Sequence, residues 1–166
     1  MNRSIASALI VAAFLLSALP ARANQFRIGP LLSARGDATA IGIVFETQLQ
    51  EKLNGALKIS YMDADGAQVT SIQPQLVYRT TLADKWEFFA GGGLAIMPAH
   101  VSADSPWEDD GSGTAIGGGV DLGASYRLSE NNMLVSPFLE YAFGESNEVR
   151  VSYLGLGVRL DFELSQ

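Results

Sequence analysis

His100 and Ser102, the sole histidine of the chain and a serine two residues on, are the pair best equipped for catalysis. An imidazole beside a hydroxyl can act as base and generate an oxygen nucleophile, provided that a carboxylate orients the ring. No carboxylate falls on a patterned outward strand position to complete such a triad. Close behind the pair stand Asp104, Glu108, Asp109 and Asp110. Clustered carboxylates are hard oxygen ligands for a divalent cation, although the spacing is not that of a calcium loop. The plainer reading is a solvated loop whose charge discourages aggregation. Trp107, set among these acids, suits a contact anchor for a partner protein and equally a ring folded back on its own scaffold. The chain has no cysteine, so disulfides, thiolate metal sites and a cysteine nucleophile are all excluded. No cofactor is expected. With 18 acidic against 11 basic residues, nucleic acid is not a partner.

The elements that must position these residues are strands. Between Val151 and Phe162, one parity collects Leu154, Leu156, Val158, Leu160 and Phe162, while the other collects Tyr153, Gly155, Gly157, Arg159 and Asp161. Successive strand side chains point to opposite faces, so this segment has apolar surroundings on one side and a crowded polar space on the other. Seven more segments upstream share the pattern: 25–33, 38–49, 55–62, 68–81, 85–97, 114–128 and 133–143, with the last read as 149–162. Ahead of them, Arg3, an apolar run from Ile5 to Leu19, Pro20 and the small-x-small site Ala21-Arg22-Ala23 form a secretory leader. Residues 1–23 are thus expected to be cleaved, leaving 24–166 as one domain. Loss of Arg3 and Arg22 takes the basic count from 11 to 9, for a net charge of about −9.

Parity places ten strand charges on one face. Arg27, Glu46, Lys58, Arg79, Glu87, Asp121, Arg127, Glu140, Arg159 and Asp161 share the face opposite the large apolar residues, five basic against five acidic. Phe89, Phe138, Tyr153, Met62 and Met97 join them, as do Gly91, Gly93, Gly117, Gly119, Gly123, Gly155 and Gly157, which leave room for long side chains opposite. Eight even-numbered, alternating strands predict an all-β, eight-stranded antiparallel transmembrane up-and-down barrel, oily outside and charge-paired inside. An eight-stranded barrel is just wide enough for side chains to fill, so a plugged interior is expected. The single long connection, 98–113, marks the end that faces outward, together with 34–37, 63–67 and 144–148. That end holds Asp37, Asp63, Asp65, Asp104, Glu108, Asp109, Asp110, Glu145 and Glu148, half of all the acids, against Arg35 and Arg150. A soluble lipocalin-like barrel would need the opposite polarity, with an apolar cavity and a wet exterior.

The residues so arranged resemble the small eight-stranded bacterial outer-membrane barrels of the OmpA transmembrane domain and OmpX type, over the whole of 24–166. The most specific piece is Gly157-Val158-Arg159-Leu160-Asp161-Phe162, which looks like the C-terminal signal of that class. The resemblance implies location in the bacterial outer membrane, contact with its lipid and lipopolysaccharide, and recognition by the insertion machinery through Tyr153, Gly157, Leu160 and Phe162. The class commonly ends on its aromatic, whereas Glu163-Leu164-Ser165-Gln166 follow here. A monomer with a structural or surface-interaction role, toward a host or phage ligand, is expected. His100 and Ser102 resemble the dyad of PagL-type lipid A deacylases, which implies an acyl hydrolase as the alternative, with Ala103 standing where that family has asparagine. A narrow ion or small-solute channel is a third expectation.

Overall fold

Alternating patterning of this kind needs its backbone polar groups paired and one face buried, and the chain does both by closing a sheet on itself. The computed structural model describes residues 25–64, 67–101, 111–128, 132–147 and 149–165. Eight strands follow one another: β1 (Gln25–Arg35), β2 (Ala38–Gln50), β3 (Leu53–Ala64), β4 (Ala67–Ala83), β5 (Trp86–Val101), β6 (Gly111–Arg127), β7 (Met133–Glu145) and β8 (Arg150–Ser165). Each pairs antiparallel with its sequence neighbour, and β1 pairs with β8 from Gln25 opposite Ser165 to Arg35 opposite Gly155, closing the barrel. Closure removes the unpaired edges that make open sheets prone to aggregate.

The segment 151–162 and the others upstream are strands, as their alternation indicates, but the strands run further than the hydropathy pattern. β1 includes Arg35, β8 continues through Glu163 and Leu164, and β5 and β6 extend to Val101 and Gly111, shortening the connection read as 98–113. At the short-turn end, residues 51–52 and 84–85 connect strands directly; at the opposite, loop end, Gly36 takes φ +60° in the two-residue turn from β1 to β2. That is the conformation a tight hairpin assigns to glycine.

Prolines lack the donor a ladder needs, and the sheet accommodates them individually. Pro30, Pro74, Pro98 and Pro137 each pair with a neighbour on one side (Ile43, Leu57, Thr114 and Val158). On the other side the pairing skips each of them, as between β4 and β5, where Val69 opposite Ala99 is followed by Ile72 opposite Ile96. Pro98 therefore interrupts one ladder without ending β5.

The inward glycines serve two purposes. At Gly93 and Gly117 an added Cβ would lie 2.0 Å from a backbone oxygen of the adjacent strand, so strand backbones approach there as no other residue permits. At Gly119, Gly123, Gly155 and Gly157 it would meet Gln73, Phe89, Glu140 and Phe138, the bulky inward side chains those gaps accept.

Candidate functional site

Inside the barrel, the strands stack their inward residues in layers that alternate charged and apolar. Nearest the short-turn end, Arg27 bonds Glu87 through Nη1 at 2.9 Å and also pairs with Glu163, which Arg127 reaches through Nη1 at 2.6 Å. One step deeper, Arg79 forks onto Glu46, with Nη2 2.7 Å from Oε2, and Asn54 donates to the same carboxylate at 2.6 Å. Such two-point guanidinium–carboxylate bonds are both strong and geometrically selective. Arg159 lies 3.5 Å from Glu46 and 2.7 Å from Asp161, whose other oxygen accepts from Ser136 at 2.8 Å. Arg79 also donates to Ser125 at 3.1 Å and stacks, with Arg159, on the ring of Phe89.

Leu31, Val44, Val77, Phe89 and Phe138 then form an apolar belt across the lumen. Beyond it lies a second ionic cluster. Glu140 accepts from Arg35 Nε at 2.7 Å and Nη2 at 3.1 Å, from Lys58 at 2.9 Å and from Ser33 at 2.8 Å, while Lys58 also bonds Asp121 at 2.6 Å. Arg35 reaches Ser60 at 2.9 Å, and its guanidinium carbon stands 4.0 Å from the centre of the Tyr153 ring. The Tyr153 hydroxyl accepts from Gln73 at 2.8 Å and donates to Ser71 at 3.3 Å. Toward the loop end, Val69, Ala95, Met97, Ala99, Ala115 and Ala142 close the stack. Among the described residues, no ion pair links the two ionic clusters.

All ten charges assigned to the inner face stand in this interior. Eight are nearly or wholly shielded, Glu87 is largely so, and Arg127 is about one-third exposed at the mouth. Sequence reasoning missed two more, Arg35 and Glu163. The hydropathy pattern puts Arg35 in an outer connection and Glu163 beyond the last strand; both instead continue the inward parity of β1 and β8. Among the described residues the interior balance is thereby six basic against six acidic groups, which pairing requires if burying them is not to be prohibitive. At the short-turn end a polar cavity of about 310 Å³ opens among Arg27, Gln48, Asn54, Arg79 and Glu87.

The residues singled out for chemistry are not brought together. His100 lies within β5, not past it, exposed and outward-facing, opposite Gln68 on β4 and Ser112 on β6. Ser102, Asp104, Trp107, Glu108, Asp109 and Asp110 lie outside the described residues, as does the leader 1–23. In β8, Tyr153 and Gly157 face inward, whereas Leu160 and Phe162 face outward.

The closed antiparallel cylinder of eight strands with ionic lumen and apolar exterior is the fold of the small outer-membrane β-barrels. The β-barrel domain at the N-terminus of OprF from Pseudomonas aeruginosa superposes with a TM-score of 0.70 at 16% identity, covering 85% of this chain and 98% of that one. Neisserial surface protein A gives 0.60 at 15%, covering 86% and 95%, and a transmembrane β-barrel designed de novo gives 0.61 at 8%, covering 86% and 98%. The sequence matches no protein-family model and no curated protein. Likeness at such low identity lies in the fold, which is fixed by parity and pairing and leaves individual residues free.

Proposed function

We propose that this chain is a monomeric outer-membrane barrel with a plugged, charge-paired interior, acting as a structural or surface-interaction protein through acidic connections at its loop end, which face outward. The observation that carries this reading is the inverted polarity. Leu76, Leu94, Leu122, Leu154 and Leu156 are each about half exposed or more on the outside, while Glu46, Glu140 and Asp161 are nearly inaccessible within. Contiguous oily surface of this extent is a liability in water and a requirement in a bilayer. The girdle of Trp86 packed on Tyr126, 4.9 Å between ring centres, and of Tyr141 stacked with Phe143 at 6.1 Å, suits the two membrane interfaces.

In this reading residues 1–23 direct secretion and are removed, Tyr153, Gly157, Leu160 and Phe162 engage the insertion machinery, and lipopolysaccharide surrounds the barrel. The filled lumen, with Met97, Leu134, Gln73 and Glu140 fully enclosed, supports a plug and argues against a standing channel. The test is refolding into phosphatidylcholine vesicles carrying a photoactivated lipid label. Labelling of the Leu76 and Leu122 rows, with heat-dependent migration on a gel and no steady conductance in planar bilayers, is expected. A chain freely soluble without detergent, or labelling of the Arg79 and Arg127 rows, would refute it. The hydrolase alternative depends on Ser102 joining His100; mass spectra of lipid A unchanged by His100→Ala would remove it.

A further inference from the structure

The four polar residues Asp63, Gln68, His100 and Ser112 fall in a single row across β3, β4, β5 and β6: Asp63 opposite Gln68, Gln68 opposite His100, His100 opposite Ser112. All four are exposed and share the parity of the oily outer residues. Polar groups on that face are tolerable only beyond the apolar band, and the strand length puts them there. Trp86 and His100 are the ends of fourteen residue steps along β5. At roughly 3.3 Å per residue and a tilt of about 40°, that is about 35 Å along the axis, against an apolar band of about 25 Å. With Trp86 at one interface, His100 stands roughly 10 Å past the other, near the level of lipid phosphates and sugars.

The row is partly organised already. Asp63 Oδ2 accepts from the Tyr61 hydroxyl at 3.3 Å and from Gln68 Nε2 at 3.4 Å, whereas the side chains of His100 and Ser112 make no hydrogen bond among the described residues. On the oily side, beneath the Asp63 and Gln68 end of the row, is a depression of about 350 Å³ between β2, β3 and β4, lined by Ile41, Ile43, Ile59, Tyr61 and Thr70. Tyr61 thus walls the depression and holds the carboxylate above it. An imidazole and a hydroxyl side by side donate to phosphate oxygens, a carboxylate and an amide suit sugar hydroxyls, and an aliphatic hollow below them suits a hydrocarbon chain.

We propose that this row and the depression under it form a binding site for one phosphorylated, acylated sugar of the outer leaflet. Phosphate sits at His100 and Ser112, sugar hydroxyls at Asp63 and Gln68, and an acyl chain against Ile41, Ile59 and Tyr61. The site rests on the membrane reading above. To test it, the full chain is inserted into phosphatidylcholine nanodiscs doped with lipid A and examined by native mass spectrometry. Retention of one lipid A is expected, falling about fivefold for each hydrogen bond removed in the His100→Ala/Ser112→Ala variant. That variant should keep the heat-dependent migration of the parent, because both residues are exposed. Filling the depression with Thr70→Trp should weaken retention without touching the phosphate ligands. Equal retention by all three proteins, or complete displacement by inorganic phosphate, overturns the site while leaving the barrel reading intact. Failure to insert removes both, and His100-dependent loss of acyl chains replaces binding with hydrolysis.

Discussion

Glu140 is the residue whose removal discriminates best between a paired interior and a merely polar one. It is 1% exposed and accepts four hydrogen bonds, from Arg35, Lys58 and Ser33. In Glu140→Ala, Lys58 keeps Asp121 at 2.6 Å, but Arg35 keeps only the Ser60 hydroxyl and the Tyr153 ring. Arg35 is then a buried cation with no carboxylate partner among the described residues. Breaking a buried pair from one side costs about 3–5 kcal/mol, a large part of a total stability of about 5–15 kcal/mol. The double variant Arg35→Met/Glu140→Leu removes both members and leaves Lys58 paired with Asp121. Apolar replacement of a whole buried pair is often neutral, so this variant should fall within about 2 kcal/mol of the parent despite carrying more changes. Urea titration in phosphatidylcholine vesicles, followed by heat-dependent migration, measures both. If Glu140→Ala lies within about 1 kcal/mol of the parent, or the double variant is no more stable than the single one, the lumen does not behave as a desolvated ion-pair network.

Depth should grade the other interior losses. Glu163→Ala leaves Arg27 bonded to Glu87 at 2.9 Å and releases Arg127, which is 32% exposed at the mouth, so it should cost under about 2 kcal/mol, a cost that should shrink as salt is raised in the same titration. On the outside, Leu122→Arg should destabilise the vesicle-inserted protein by about 2–4 kcal/mol, whereas the same change would be nearly silent if that face met water. Gly117→Ala forces a methyl group toward the Phe143 carbonyl and should cost about 1–3 kcal/mol or prevent refolding. Gly111→Ala, with nothing within 4 Å of the added carbon, should stay within about 0.5 kcal/mol of the parent in the same assay.

These contrasts also explain what the sequence disclosed and what it hid. Mid-strand, direction and hydropathy alternate together, so Arg79 against Leu76 or Asp121 against Leu122 declares its face without any coordinates. The partners are not declared: Arg35 and Glu140 are 105 residues apart, and only the closure of β1 on β8 and the registers between bring them to 2.7 Å. At the strand ends the two alternations separate. Outer positions there become polar, as Asp63, Gln68, His100 and Ser112 do, so the hydropathy pattern stops although the strand and its parity continue. Hydropathy therefore assigns Arg35 to a loop, Glu163 to a tail and His100 to the connection after β5. Pro98 removes one donor from the β4–β5 ladder without breaking the strand. A strand leaving the apolar band loses the sequence signature of the band but not its hydrogen bonds. In the proposed membrane reading, the residues best placed to meet head groups are consequently those that hydropathy alone assigns to loops, and carrying parity two to four residues past the last apolar position recovers them.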